Sequence, residues 1–194
     1  MSSKPYALQL QLPVWLATLV AASVAFSLGL ACAVPLAAFA ALGALTLERR
    51  ATFFLTLTVV LANQVLGFTV LHYPRDIETF AWGGIFLFVG FASTAAAFWM
   101  KERLGTVKPA VASVAIFLVA FAAYEGGFFF ASLASGSGLY AYAPSIVLRI
   151  FEVNVVAFAG LLLLDRLASF VAPSRTKSAN FGAVQLSSRL KTER

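Results

Sequence analysis

The chain has few charged residues. Of its 194 residues, 11% are charged and 61% are hydrophobic, whereas soluble domains carry roughly 25% charged residues. A soluble core cannot bury this much apolar surface, so the composition predicts that a lipid bilayer is the solvent. The net charge of +6 does not indicate a nucleic-acid partner, because the basic residues lie at the ends of apolar segments, where they set membrane topology.

Cysteine and histidine are almost absent, and the common catalytic motifs are missing. The single cysteine, Cys32, excludes a disulfide within the chain and a multi-cysteine metal site. The single histidine, His72, excludes a haem held by two histidines of one chain. The sequence contains no GxxxxGK[ST], HExxH or GxSxG pattern. We therefore expect neither an enzyme nor an intrinsic cofactor.

The apolar residues fall into stretches that suit a membrane-spanning helix, which needs about 20 residues. These stretches cover residues 13–30, 33–47, 52–71, 80–100, 109–134 and 142–168. The first two are continuous in hydropathy, and Gly29 and Pro35 predict a tight reversal between them. The sequence thus predicts an all-α membrane protein with about six transmembrane helices over residues 1–172. The basic, serine-rich segment 173–194 is predicted to be a disordered tail.

The positions of the basic residues predict the orientation. If both termini are cytoplasmic, all of the 14 Lys and Arg residues except Arg75 and Arg149 lie on the inner side. Such an asymmetry is typical of cytoplasmic loops. We therefore expect a multi-pass protein of the bacterial cytoplasmic (inner) membrane, with both termini inside.

Six polar residues within the apolar stretches are the first candidates for a functional site, because polar groups inside a membrane are costly. They are Asn63, Gln64, Glu125, Arg149, Glu152 and Asn154. Helix geometry places the first five at a similar depth, about 10–15 Å from the outer ends of their segments. Arg149 and Glu152 are three residues apart and share a helix face. Two interpretations stay open: the residues bind a ligand, or Arg149 neutralises Glu125 and Glu152 and staples the bundle.

Aromatic residues surround the predicted outer rim of this layer. Tyr73, Trp82, Tyr140 and Tyr142 lie at the ends of the third, fourth and sixth stretches. They are either ligand-binding residues or ordinary members of an interfacial aromatic belt. The pairs Gly83-Gly84 and Gly126-Gly127 lie near the same level, where glycine lets a flat ligand approach the backbone.

His72 ends the third stretch and has two interpretations. A lone histidine at a helix end is most often a solvated or capping residue. One imidazole cannot build a metal site alone, so its functional role would be a single axial ligand to a metal already held in a macrocycle.

Small residues recur every four positions in the first stretch. Ala17, Ala21 and Ala25 form this stripe, and Gly29 continues it. Such a stripe lets a second helix approach closely.

With its size, six predicted helices and outward-facing polar layer, the chain resembles the S components, the substrate-binding subunits of energy-coupling factor vitamin transporters. The resemblance implies that the stripe docks onto a transmembrane coupling subunit, which works with ATPase subunits on other chains.

Within that family the chain looks most like the solitary cobalamin-specific group called BtuM-like. The likeness rests on the segment Ala62-Asn63-Gln64 leading to His72-Tyr73-Pro74, on Trp82, and on Arg149 early in the sixth stretch. It implies that cobalamin is captured from the outer side and that His72 is the position matching a cobalt ligand. The alternative is a non-catalytic accessory subunit that packs against a larger membrane complex.

Overall fold

The described part of the protein is entirely helical. The computed structural model describes residues 6–29, 34–105, 107–136 and 142–171, and no strand occurs in these ranges. The helices are α1 (Tyr6–Gly29), α2 (Leu36–Thr46), α3 (Arg49–Thr69), α4 (Ile77–Leu104), α5 (Pro109–Ser135) and α6 (Pro144–Val171). The predicted all-α class is confirmed, and the first two apolar stretches form separate helices, as Gly29 and Pro35 indicated.

Four of the described helices, α3 to α6, are long and apolar enough to cross a membrane. The apolar part of α1, Pro13–Phe26, and α2 are shorter. The predicted membrane class is thus supported, whereas six crossings and the sides of the termini stay predictions. The predicted tail at 173–194 lies outside the described residues.

α2 is a short helix enclosed by the other helices. Every side chain from Leu36 to Ala44 is buried, and α2 packs against α3, α4 and α5. Most of its residues are alanine or glycine, which let neighbouring backbones approach closely. Its 11 residues extend over about 16 Å, roughly half of a hydrocarbon core of ~30 Å. α2 therefore forms the centre of the bundle.

Side chains from two other helices hold the ends of α2. At its start, Asn154 Oδ1 on α6 accepts a hydrogen bond of 3.3 Å from the Ala38 N–H. At its end, Lys101 Nζ on α4 donates to the Ala44 carbonyl oxygen. The terminal N–H and C=O groups of a helix lack partners within it, and a cation near the C-terminus also interacts favourably with the helix dipole.

Buried hydroxyl groups join the long helices. The Thr56 and Thr94 hydroxyl oxygens lie 2.9 Å apart between α3 and α4. Ser93 Oγ on α4 donates to the Ala120 carbonyl oxygen on α5 at 2.8 Å. Hydrogen bonds of this kind stabilise helix pairs where no water is available.

Aromatic rings fill the space between α5 and α6. Phe117 stacks on Phe158 with ring centroids 4.9 Å apart, and Phe121 meets Phe151 edge to face at 5.0 Å. The chain up to Leu161 forms one compact unit, and residues from Leu162 belong to a second. Of the second unit, the structure describes the last part of α6, to Val171.

Candidate functional site

A cavity of about 250 Å³ lies among α4, α5, α6 and the turn that precedes α6. It is near the end of the bundle where α4 begins and α5 ends. Its lining residues are Trp82, Phe86, Tyr124, Glu125, Phe128, Ser132, Tyr142 and Ile150.

Helical periodicity explains how the two main walls form. On α5, Tyr124, Phe128 and Ser132 recur every four residues, so they share one face, with Glu125 beside them. On α4, Trp82 and Phe86 have the same spacing. α4 and α5 pair extensively, which brings these two aromatic faces together.

Edge-to-face contacts order the aromatic wall. Phe128 contacts Phe86 at a centroid distance of 4.7 Å and Tyr124 at 5.0 Å. Tyr142 meets Phe129 at 5.2 Å with the ring planes nearly perpendicular. Such pairs are favourable beyond their buried area. The cavity is therefore bounded by rings that hold one another in place.

Glu125 is the one acidic residue among the lining side chains, and its carboxyl group is incompletely paired. Its Oε1 atom is buried and accepts no hydrogen bond from the described residues. The described lining residues include no Lys, Arg or His. Buried polar atoms in folded proteins are nearly always paired, so this oxygen is a candidate for contact with a bound molecule.

Tyr142 lines the cavity next to the start of α6. Burial raises the pKa of its phenol, a hydrogen bond with Ser132 opposes that shift, and the nearby Glu125 carboxylate adds to it. The tyrosine therefore keeps its proton near neutral pH and retains a hydroxyl group that can donate to a ligand.

The structure brings together three of the sequence-predicted ligand residues, Trp82, Glu125 and Tyr142. Gln64 does not line the cavity. Its side chain packs against Gly83, where an added Cβ would lie 3.2 Å from the Gln64 amide carbon. Asn63, the residue before Gln64, is buried. Its Oδ1 accepts no hydrogen bond from the described residues.

The remaining polar residues of the predicted layer lie elsewhere. Arg149 and Glu152 are exposed on α6, do not line the cavity, and form no salt bridge with each other. Glu125 forms no salt bridge with Arg149 either, so no contact among the described residues supports an Arg149 staple. Asn154 is occupied with α2, as described above.

His72 and Tyr73 shape the end of α3. His72 is exposed and has a left-handed backbone with φ of 55°, a conformation in which histidine is enriched. The Tyr73 N–H then donates to the Gly67 carbonyl oxygen at 3.0 Å. Its ring lies against Gly67 and meets Phe68 at 6.4 Å. Neither side chain lines the cavity.

Metal ligands are sparse in the structure. No group of three or more His, Cys, Asp or Glu residues in the described ranges is placed to hold a metal ion. Cys32 and Tyr140 lie outside the described residues. The proposal for His72 as an axial ligand therefore still rests on the resemblance alone.

Within each glycine pair, one glycine lies against a side chain of a neighbouring helix and the other does not. Gly83 faces Gln64, and Gly127 faces Val89 at 2.9 Å from an added Cβ. Gly84 and Gly126 would place a Cβ in open space. One glycine of each pair thus permits close helix packing.

The alanine stripe of α1 borders a second, apolar cavity of about 500 Å³ between α1 and α3. Ala17 and Ala21 line it together with residues of α3 that include Phe54 and Thr58. Ala25 continues the exposed face of α1. The predicted stripe is thus accessible to another hydrophobic molecule.

Five cavity residues were absent from the sequence-based prediction: Phe86, Tyr124, Phe128, Ser132 and Ile150. Phenylalanine and isoleucine are common on every face of a membrane helix, so their identity carries little signal. The four-residue spacing of Tyr124, Phe128 and Ser132 beside Glu125 was the usable indication.

Fold and site together define an all-helical membrane protein with an aromatic cavity at one end of its bundle. Comparisons with protein-family models, curated proteins and solved structures find no match for this chain.

Proposed function

We propose that this chain is a membrane-embedded substrate-binding subunit that captures a small ligand in the α4–α5–α6 cavity. The observation that carries the proposal is the buried Glu125 Oε1, which accepts no hydrogen bond from the described residues and lies in a mainly aromatic lining. A pocket lined by aromatic rings with a few polar groups is typical of a small-molecule site.

The charge distribution supports an orientation for this site. With six crossings and cytoplasmic termini in a bacterial inner membrane, the start of α4 and the end of α5 face outward. The cavity then opens toward the outer side, where an uptake system meets its substrate. Transport inward would need energy from ATPase subunits on other chains, because this sequence has no P-loop.

The alanine stripe supports a contact with a transmembrane coupling subunit. Ala17 and Ala21 border an apolar groove and are exposed, and small residues allow a partner helix to approach closely. Ligand binding and contact with the coupling subunit would then use different faces of the bundle.

Cobalamin is the vitamin suggested by the resemblance, and the cavity sets a constraint on it. Pockets for drug-sized ligands measure roughly 300–1,000 Å³, and a corrinoid is larger than such a ligand. A cavity of about 250 Å³ accommodates only part of it without movement of the helices. A smaller vitamin-like ligand would fit this volume better than cobalamin does.

The test is a cavity-filling variant with a matched control. Ile150→Phe adds bulk to the cavity lining, whereas Leu148→Phe adds it at an exposed position of the same helix. We expect Ile150→Phe alone to abolish ligand-dependent thermal stabilisation of the purified protein by a panel of vitamins that includes cobalamin. Stabilisation of both variants at the wild-type level would overturn the proposal. Visible absorbance of the purified protein tests cobalamin directly.

A second candidate function, an accessory subunit of a larger membrane complex, has its own supporting observation. Arg149 and Glu152 are exposed in a membrane-spanning helix, where charged side chains usually face protein or water. Replacing both by Leu should leave the melting of the isolated chain nearly unchanged. Under this alternative, it should also release the chain from its complex, measured by native mass in mild detergent. An unchanged mass would contradict the alternative.

A further inference from the structure

The charge of the cavity lining discriminates between classes of ligand. Among the described lining residues, Glu125 is the sole acid and none is basic. Arg149 on α6 directly precedes the lining residue Ile150, but it is exposed and does not line the cavity. An anionic ligand would meet no compensating cation among the described lining residues, which is unfavourable at low dielectric. A cationic ligand would stabilise the ionised form of the Glu125 carboxyl group.

The aromatic rings add a second attraction for a cation. Trp82, Phe86, Tyr124, Phe128 and Tyr142 make up most of the lining. The faces of aromatic rings carry negative potential, and desolvated cations bind to them favourably, most strongly for tryptophan. The edge-to-face contacts around Phe128 keep the rings in fixed orientations, so they need little reordering when a ligand binds.

The carboxyl group of Glu125 lacks a partner that such a ligand would supply. Its buried Oε1 accepts no hydrogen bond from the described residues. An alkylammonium group offers both a positive charge and N–H donors, and a quaternary ammonium group offers the charge alone. Either one would compensate a carboxylate that receives no cation from the described residues of the lining.

We propose that the cavity binds a small organic cation, an amine or quaternary ammonium group, between the aromatic rings and Glu125. This inference rests on the proposed function, since it names the ligand class for the same cavity. The cation can belong to a free solute or to the headgroup of a membrane lipid. The volume of about 250 Å³ suits a group of this size in both cases.

Trp82 provides a direct reporter, because it lines the cavity. Replacing the other two tryptophans, Trp15 and Trp99, by Phe leaves Trp82 as the only one of the three. The protein is purified in detergent free of amine lipids and titrated with choline, tetramethylammonium and dimethylbutanol, the neutral isostere of choline. We expect a saturable fluorescence change with both cations, and binding of the isostere weaker by about tenfold or more.

Variants assign this preference to particular groups. Glu125→Gln retains the shape of the side chain and should weaken choline binding by about tenfold, while binding of the isostere changes little. The control, Glu78→Gln, removes an exposed carboxyl near the same end of α4 and should leave both affinities unchanged. Phe128→Leu should weaken binding of the cation more than binding of the isostere. Thermal melts check that each variant folds.

Two lipid environments separate the possible sources of the cation. In phosphatidylglycerol nanodiscs, free choline should produce the full Trp82 response. If a headgroup is the natural ligand, phosphatidylcholine nanodiscs should produce that response before choline is added, and Glu125→Gln should abolish it. If the ligand is a free solute, choline should produce the same response in both kinds of nanodisc.

Equal affinity for choline and its neutral isostere would overturn the cation inference. If Ile150→Phe also abolished this equal binding, the cavity would remain a ligand site and the proposed function would stand. The absence of a saturable response to both cations in every environment would also overturn the inference. The vitamin panel with Ile150→Phe would then decide the proposed function separately.

Discussion

The side-chain oxygen of Asn154 lies 3.3 Å from the backbone nitrogen of Ala38 and accepts its hydrogen bond. Asn154 is 1% exposed, and its Nδ2 atom donates to the Ile150 carbonyl oxygen at 3.0 Å. This one side chain therefore joins α6 to the first turn of α2, where backbone N–H groups lack partners within the helix. A polar residue inside an apolar helix here supports the fold.

Replacing Asn154 by Leu should destabilise the bundle without blocking ligand binding to the cavity. The Ala38 N–H also donates to the Pro35 carbonyl oxygen at 3.0 Å. Asn154→Leu therefore removes one of the two hydrogen bonds that this N–H makes. We expect a loss of about 1 kcal/mol in unfolding free energy, measured by denaturant unfolding in detergent. The control is Val156→Ala at an exposed position of α6. Equal stability of Asn154→Leu and wild type would contradict this role.

The long helices were predictable from sequence, but the position of α2 was not. Hydropathy locates α3 to α6 because a stretch of apolar residues reports helix length directly. It cannot tell a helix that faces lipid from one enclosed by other helices, since both are apolar. The better indications were the short interval between Pro35 and Glu48 and the abundance of small residues within it.

The candidate site was predictable only in part, because sequence spacing does not determine how a helix is rotated. Arg149 and Glu152 were placed on one helix face, and both are exposed in the structure. Which face of α6 meets the other helices depends on packing of residues such as Phe158 against α5. Glu125 was identified because an acid inside an apolar helix is conspicuous whatever its rotation.

Close packing of α2 against α3 predicts a large effect at Gly43. A Cβ at this position would lie 2.3 Å from Thr52 Cγ2, so Gly43→Ala forces the Thr52 side chain or one of the two helices to shift. We expect a loss of about 1–3 kcal/mol, as for other overpacked cores. Gly126→Ala is the matched control, because its Cβ meets nothing within 4 Å, and it should be neutral or slightly stabilising. The two melting temperatures, compared in the same detergent, test this difference.

The start of α4 should respond to acid through its capping residue. The Thr79 N–H donates to Asp76 Oδ1 at 2.8 Å, and this hydrogen bond lowers the pKa of Asp76 below its usual 3.8. Because the folded-state pKa is the lower one, the stabilising contribution is complete above pH ~4 and disappears as the pH falls through the lowered value.

Asp76→Ala should therefore melt below wild type at neutral pH, and the gap should narrow below pH ~4. Asp76→Asn keeps a side-chain acceptor and should show a smaller gap at neutral pH. Thermal melts of the three proteins across this pH range provide the measurement. A gap that stays constant from neutral pH to pH ~3 would show that the carboxylate charge is not involved.

The alanine stripe of α1 offers a way to separate ligand capture from transport. Ala17 and Ala21 are exposed beside the α1–α3 groove, far along the chain from Glu125 and the rest of the cavity lining. Replacing both by Leu adds bulk where a partner helix would approach, and close helix packing tolerates this poorly. If the stripe contacts a coupling subunit, uptake in cells should fall by about tenfold or more while the Trp82 response of the purified protein keeps its wild-type affinity.

Val14→Leu, at an exposed position of the same helix, controls for added bulk in general and should leave uptake intact. Equal losses of uptake and of ligand affinity in the double variant would instead indicate that the groove belongs to the internal packing of α1 against α3.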